Sequence, residues 1–135
     1  MTPFGAKIRS LRKAHRVTLT DMAAALGVSG AYLSALEHGH RGRPSWSMVQ
    51  RIIAYFNVIW DDAEELERLA QLSNPRITVN TAGMDPKATE LANQLARTIG
   101  ELGEDQLNAM LTYLQDAAPG TVNTAKIRTD TNPKE

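Results

Sequence analysis

Residues 17–39 read VTLTDMAAALGVSGAYLSALEHG, and the order of residue types in this stretch decides the fold. Thr18 is a good helix N-cap, with Asp21 three residues on as a weaker relative of the Ser/Thr-x-x-Glu capping box. Met22, Ala23 and Leu26 then form one apolar stripe. Gly27 stands where a helix ends in the left-handed conformation that glycine adopts without strain. Ser29 caps a second helix, whose Leu33 and Leu36 point inward before Gly39 closes it. Small Ala23 lets the two helices approach closely, and Val28 plugs the angle between them. A short helix, a glycine-bearing turn and a second helix make a helix-turn-helix, which projects the start of its second helix toward a DNA major groove.

Working outward, a helix is expected from about Phe4 to His15, with Phe4, Ile8 and Leu11 on one face. Downstream, the composition of residues 38–44 predicts a loop. Ser45 caps a fourth helix with Trp46, Val49, Ile52, Ile53 and Phe56 as its buried set. A fifth starts near Asp61 or Asp62, with Glu64 and Glu65 in its first turn, where the helix dipole favours acids. Ala63, Leu66, Leu69 and Ala70 are its apolar positions, so five helices can enclose one core. Ser73-Asn74-Pro75 breaks the pattern, and the alternation from Arg76 to Asn80 fits a short strand or extended linker. Asp85-Pro86 opens a helix to about Ile99, with Leu91, Ala92, Leu95 and Ile99 inward. Gly100 and Gly103 mark a turn into a last helix, Glu104 to Leu114, with Leu107, Met110, Leu111 and Leu114 on one face. From Ala118 the composition predicts disorder. The expected fold is all-α: a five-helix domain over 1–73, a linker or strand over 74–84, a helical hairpin over 85–116 and a disordered tail over 117–135.

The net charge of zero hides two opposite halves. Residues 1–60 hold eight basic and two acidic side chains, whereas residues 61–120 hold four basic and eleven acidic ones. A basic first half beside an acidic second half points to a polyanion-binding module joined to a different one. The chain has no cysteine, which excludes disulfides and thiolate metal sites. No Gly-rich phosphate loop, nucleophile with its base, or paired carboxylates in a plausible cleft is present, so neither an enzyme nor a cofactor is expected. No stretch has the length and apolarity of a membrane span, and MTPFGAKIRSLRK does not read as a secretion signal, so a cytoplasmic protein is expected.

The order of residues over 17–39 resembles the lambda-repressor-like, Xre/Cro-type helix-turn-helix transcriptional regulator family, whose pattern runs L-T-x-x-x-L-A-x-x-x-G-V-S-x-x-Y-L-S-x-L-E-x-G. Pro44-Ser45, the helix to Phe56 and Asn57-Val58 continue it in register, so the resemblance covers about residues 4–71. It implies a five-helix DNA-binding domain and an ion pair between Arg12 and Glu37. It also implies base-facing positions at Gly30, Ala31, Tyr32, Ser34 and Ala35.

The exposed positions expected on the second helix of the motif are Ser29, Gly30, Ala31, Tyr32, Ser34 and Ala35. They include no Arg for guanine and no Asn or Gln for adenine. Tyr32 and Ser34 can hydrogen-bond, Ala31 can meet a thymine methyl, and Gly30 lets the backbone come close. Direct readout is therefore expected to be thin, with DNA shape supplying much of the specificity. Leu19 stands where many family members carry a Gln that contacts the backbone, and it cannot make that hydrogen bond. Thr18 and Thr20 can bind phosphate or serve as caps. His38, His40, Arg41 and Arg43 lie among glycines that allow close approach to the sugar-phosphate chain, and Ser45 and Ser47 can add contacts at the next helix start. His38-x-His40 lacks the further ligands a metal site needs.

A unit of this size reads few base pairs, so a homodimer on a pseudo-palindromic operator is expected, with repression the favoured sign of regulation. Leu91, Leu95, Ile99, Leu107, Met110, Leu111 and Leu114 are the candidate dimerisation residues, aided by strand pairing through Ile77 and Val79. The alternatives are an antitoxin-like regulator whose acidic second half binds a protein partner, and an interaction module that has lost DNA binding.

Overall fold

The computed structural model describes residues 1–117 and the backbone of 127–129. Thr2, Thr18, Ser29 and Ser45 cap α1 (Pro3–His15), α2 (Leu19–Leu26), α3 (Gly30–His38) and α4 (Trp46–Phe56). Each cap oxygen accepts a backbone N–H three residues on, from Gly5, Asp21, Tyr32 and Met48 respectively. This satisfies a donor that the helix itself leaves unpaired.

The same four helices also end alike. Arg16, Gly27, Gly39 and Asn57 take the left-handed conformation. The following N–H then reaches back five residues: Val17 to Arg12, Val28 to Ala23, His40 to Ala35 and Val58 to Ile53, at 2.9–3.0 Å. That is the Schellman closure, and its usual companion is an apolar contact from the residue after the turn. Val17, Val28 and Val58 supply it, each packed against the core. The glycine closures are as the sequence predicts. Arg16 and Asn57 perform the same closure without a glycine to announce it.

Helix α5 (Trp60–Gln71) starts just ahead of the expected Asp61, with Asp61 and Asp62 in its first turn and no side-chain cap. On its outer face Arg68 donates two hydrogen bonds to Glu65, at 2.9 and 2.8 Å, and these hold the Glu65 carboxyl below its usual value. Both side chains are exposed, so the pair adds little stability.

The core draws on all five helices: Phe4 and Ile8 from α1, Met22, Ala23 and Leu26 from α2, Leu33 and Leu36 from α3, Met48, Val49, Ile52 and Phe56 from α4, and Leu66 and Ala70 from α5. Trp46 corrects the sequence expectation. It was expected among the buried set, yet it is 66% exposed. It is the first residue of α4, beside an open surface pocket that Glu67, Ala70 and Gln71 of α5 also line.

The start of α1 is completed by a residue from the far end of the domain. Pro3 has no N–H, Gly5 N is bound by Thr2 Oγ1, and Ala6 N by the Thr2 carbonyl. The remaining donor, Phe4 N, goes to Ser73 Oγ at 2.9 Å. Ser73 in turn donates to the Leu69 carbonyl and is fully buried. Ser73 thus joins the end of α5 to the start of α1, and the amino-terminal compact unit takes in Met1–Ile77.

The second unit begins at Thr78. A short strand, β1 (Ile77–Val79), is followed by α6 (Pro86–Thr98), a 3-10 turn (Ile99–Glu101) and α7 (Glu104–Ala117). Asp85 caps α6 through Lys87 N, as the Asp-Pro pair predicts. β1 pairs with β2 (Ile127–Thr129) of the same chain, whereas the expected strand pairing through Ile77 and Val79 is with a second copy. Most of the tail expected to be disordered, 118–126 and 130–135, lies outside the described residues. The inward positions expected on α6 and α7 are corrected too. No residue of either helix is buried, and Leu91, Leu95, Ile99, Met110, Leu111 and Leu114 are exposed. Among the described residues no second layer covers the stripe of either short amphipathic helix.

Gly5 is the tightest point between α1 and α3. A Cβ built there would lie 1.9 Å from the Glu37 carbonyl oxygen, whereas one on Gly30 meets nothing within 4 Å. Gly5→Ala is expected to lower stability by about 2 kcal/mol or more, although alanine is the better helix former. Gly30→Ala serves as the control, expected to be neutral or stabilising. Denaturant unfolding of both variants checks this, and equal midpoints would remove the close approach of α1 and α3.

Candidate nucleic-acid interface

The motif helices α2 and α3 meet at 108°. Gly27 makes the corner at φ 71°, and Arg51 of α4 donates to the last carbonyl of α2, on Leu26. A guanidinium at the negative end of a helix is favourable, so Arg51 serves as a brace behind the turn. In the sequence Arg51 shows only as one of the basic residues of the first half. Nothing in its spacing marks it as a C-terminal partner of α2.

On α3, Ser29 and Ala31 are exposed, while Gly30, Tyr32, Ser34 and Ala35 are half-buried. Ser29 Oγ is occupied as an acceptor by Tyr32 N, and its hydroxyl proton remains for an outside acceptor. The same holds for Thr18, whose oxygen accepts Asp21 N. Thr20 is exposed. Leu19 packs partly on the core, which accounts for an apolar residue at that position.

The loop after α3 folds back over the motif. The Arg41 guanidinium lies 5.1 Å above the Tyr32 ring, a cation–π arrangement that joins a loop cation to a side chain of α3. His38 Nδ1 donates to the Ser34 carbonyl at 2.9 Å, so its remaining ring nitrogen can donate to a phosphate only in the imidazolium form. The rings of His38 and His40 stack at 6.0 Å. Among the described residues no three potential metal ligands cluster. Arg43 and Ser45 lie together with Trp46 at the start of α4, and Ser47 is exposed on its first turn. Thus Arg41 ties the loop to α3 through Tyr32, while Thr18 and Thr20 stand at the start of α2.

Behind this surface is the ion pair. Arg12 Nε and Nη2 donate to the two carboxylate oxygens of Glu37 at 3.1 and 3.2 Å, a forked geometry. Glu37 is 3% exposed, so its charge has little water to turn to.

The family described as "Helix-turn-helix domain" matches residues 3–69, the stretch that forms α1 to α5. Through these residues the chain belongs to the helix-turn-helix domain family. This agrees with the Xre/Cro-type resemblance. One relative is an uncharacterized HTH-type transcriptional regulator, RghRB, of Bacillus subtilis (strain 168), 34% identical over 62 residues, or 46% of this chain and 45% of that protein. Another is the HTH-type transcriptional repressor RghR of the same strain, 35% identical over 52 residues, 38% of each chain. The match thus spans less than half the length of these curated relatives. No solved structure matches the chain significantly. Among the described residues no single helix is long and apolar enough to cross a membrane.

Arg12→Met leaves Glu37 buried without its cation and is expected to cost about 3–5 kcal/mol. Adding Glu37→Leu should restore much of that loss, because an uncompensated charge is then removed. A double-mutant cycle in urea measures both, and additive losses would deny the coupling.

Proposed function

We propose that the chain is a sequence-specific transcriptional regulator that binds double-stranded DNA as a homodimer and acts as a repressor. The reading rests on the surface built by Gly27, α3 and the loop after it, where exposed hydroxyls and small side chains sit beside Arg41 and Arg43 with no exposed carboxylate on α3. Here α3 enters the major groove, with Ala31 against a thymine methyl and Tyr32 and Ser34 as hydrogen-bonding groups. Thr18, Thr20, Ser29, His40, Arg41, Arg43, Ser45 and Ser47 hold the phosphate chain, and His38 joins them when protonated. With so few base-reading side chains, groove width and deformability carry much of the discrimination. Repression is supported by the similarity to RghR, an HTH-type transcriptional repressor.

Selection of bound DNA from a random pool, followed by footprinting, tests this reading. The expected outcome is a pseudo-palindrome with half-sites roughly 34–36 Å apart. Arg43→Ala should weaken binding to all sequences alike, whereas Tyr32→Ala should relax preference at one base pair. Uniform losses from both would refute that division of roles, and a protein with no salt-dependent DNA affinity would refute the reading itself.

The second copy is proposed to dock on the apolar stripes of α6 and α7, aligned by Leu91, Leu95, Ile99, Leu107, Met110, Leu111 and Leu114. Six of these seven are exposed, and Leu107 is half-buried. The same exposed stripe favours a second reading, an antitoxin-like regulator whose carboxy-terminal module holds a different protein. Leu91→Glu combined with Leu111→Glu, at positions 62% and 55% exposed, spares the amino-terminal core. Sedimentation should show a dimeric parent and a monomeric variant. A monomeric parent would favour the partner reading, and a variant that stays dimeric would move the interface elsewhere.

A further inference from the structure

The four residues after α3 form a tight turn. The Gly39 carbonyl accepts Gly42 N at 3.1 Å, so His40 and Arg41 are its two central residues. The turn is tied to α3 where it begins: His40 N reaches the Ala35 carbonyl at 2.9 Å, and the His40 ring stacks on His38 at 6.0 Å. Backbone hydrogen bonds therefore carry Arg41 back over α3, and its guanidinium lies 5.1 Å above the Tyr32 ring. Tyr32 is half-buried and packs in part against the core. Its ring is thus held both by the core and by Arg41. Arg41 itself is exposed. A guanidinium is planar, so its face can cover a ring while the N–H groups at its edge remain able to fork onto a phosphate. A tyrosine free to change rotamer has to be ordered by the DNA and can offer its hydroxyl to more than one base. A ring held in place before binding offers it in one geometry. Arg43, two residues on, lies instead beside Ser45 and Trp46 at the start of α4.

We propose that Arg41 is a positioning residue for base recognition. By stacking on Tyr32 it fixes the ring that meets the base edge, and a phosphate on the guanidinium edge fixes Arg41 in turn. Base preference at one position of the site then depends on a loop cation that touches no base. The assignment rests on the DNA-binding reading above and extends it, since that reading gives Arg41 a phosphate alone.

The test uses the full chain and the DNA recovered by selection. Thermal melting followed by circular dichroism verifies that the variants keep the fold. Arg41→Ala is expected to weaken binding about tenfold on all sequences and to lower the slope of log affinity against log salt by about one. It should also reduce the preference at the base pair that Tyr32→Ala identifies, by about threefold. Arg43→Ala should leave that preference intact. Added to Tyr32→Ala, Arg41→Ala should reduce the preference no further, because the ring that it positions is gone. In the free chain, NMR should show the Arg41 side-chain protons shifted upfield by the ring current, a shift that Tyr32→Leu removes. An unchanged preference in Arg41→Ala, additive losses of preference in the double variant, or no ring-current shift would each overturn the positioning role and leave the DNA-binding reading standing. If Tyr32→Ala changes no preference, the ring reads no base, and the role falls while DNA binding stands. If the parent chain binds no DNA, both fall.

Discussion

Glu37 is gripped by α1 at both its backbone and its side chain. Its carbonyl accepts Thr2 N at 3.2 Å and Thr2 Oγ1 at 3.3 Å, and it lies where Gly5 leaves no room for a Cβ. Its carboxylate takes the fork of Arg12 three turns along the same helix. These contacts fix the end of α3 in both position and rotation, so the start of α3 is aimed by a lever whose other end is clamped. Burying such a pair is not in itself a source of stability, because desolvation offsets most of the attraction. Its contribution here is orientation. A recognition helix free to roll would present a different set of side chains to a groove.

The clamp is closed from the other end of the domain. Ser73, after α5, completes the hydrogen bonding at the start of α1, and Pro75 lies near Gly39 at the end of α3. Arg51 holds the end of α2 from α4. Every corner of the motif is therefore supported by an element distant in sequence. The surface itself is left to small and polar side chains, with cations in the loop beside it. Such a surface suits a duplex whose backbone supplies most of the binding energy and whose shape supplies much of the discrimination.

The two halves of the chain follow different rules. The first buries thirteen hydrophobic side chains in one core. In the second, α6 and α7 bury none, and it carries the acidic excess. Apolar stripes left open to water on short helices are a cost for a lone chain, and covering them is a driving force for association.

Much of the fold was legible in the sequence, because caps and closures act within a few residues. Thr18, Ser29, Ser45, Gly27 and Gly39 stand where local hydrogen bonding and backbone sterics demand them, and the helices lie between them. The pairing of Arg12 with Glu37 was legible only through family resemblance, since no local rule joins residues 25 positions apart. Tertiary structure alone decided the rest. The closeness of Gly5 to Glu37, the capping of Phe4 N by Ser73, the brace of Arg51 and the meeting of Pro75 with Gly39 all depend on how distant segments pack. Trp46 and the leucines of α6 and α7 make the same point from the other side. Helical spacing shows which face is apolar, but burial requires a partner surface. That partner is present for α1 to α5, and among the described residues nothing buries α6 or α7.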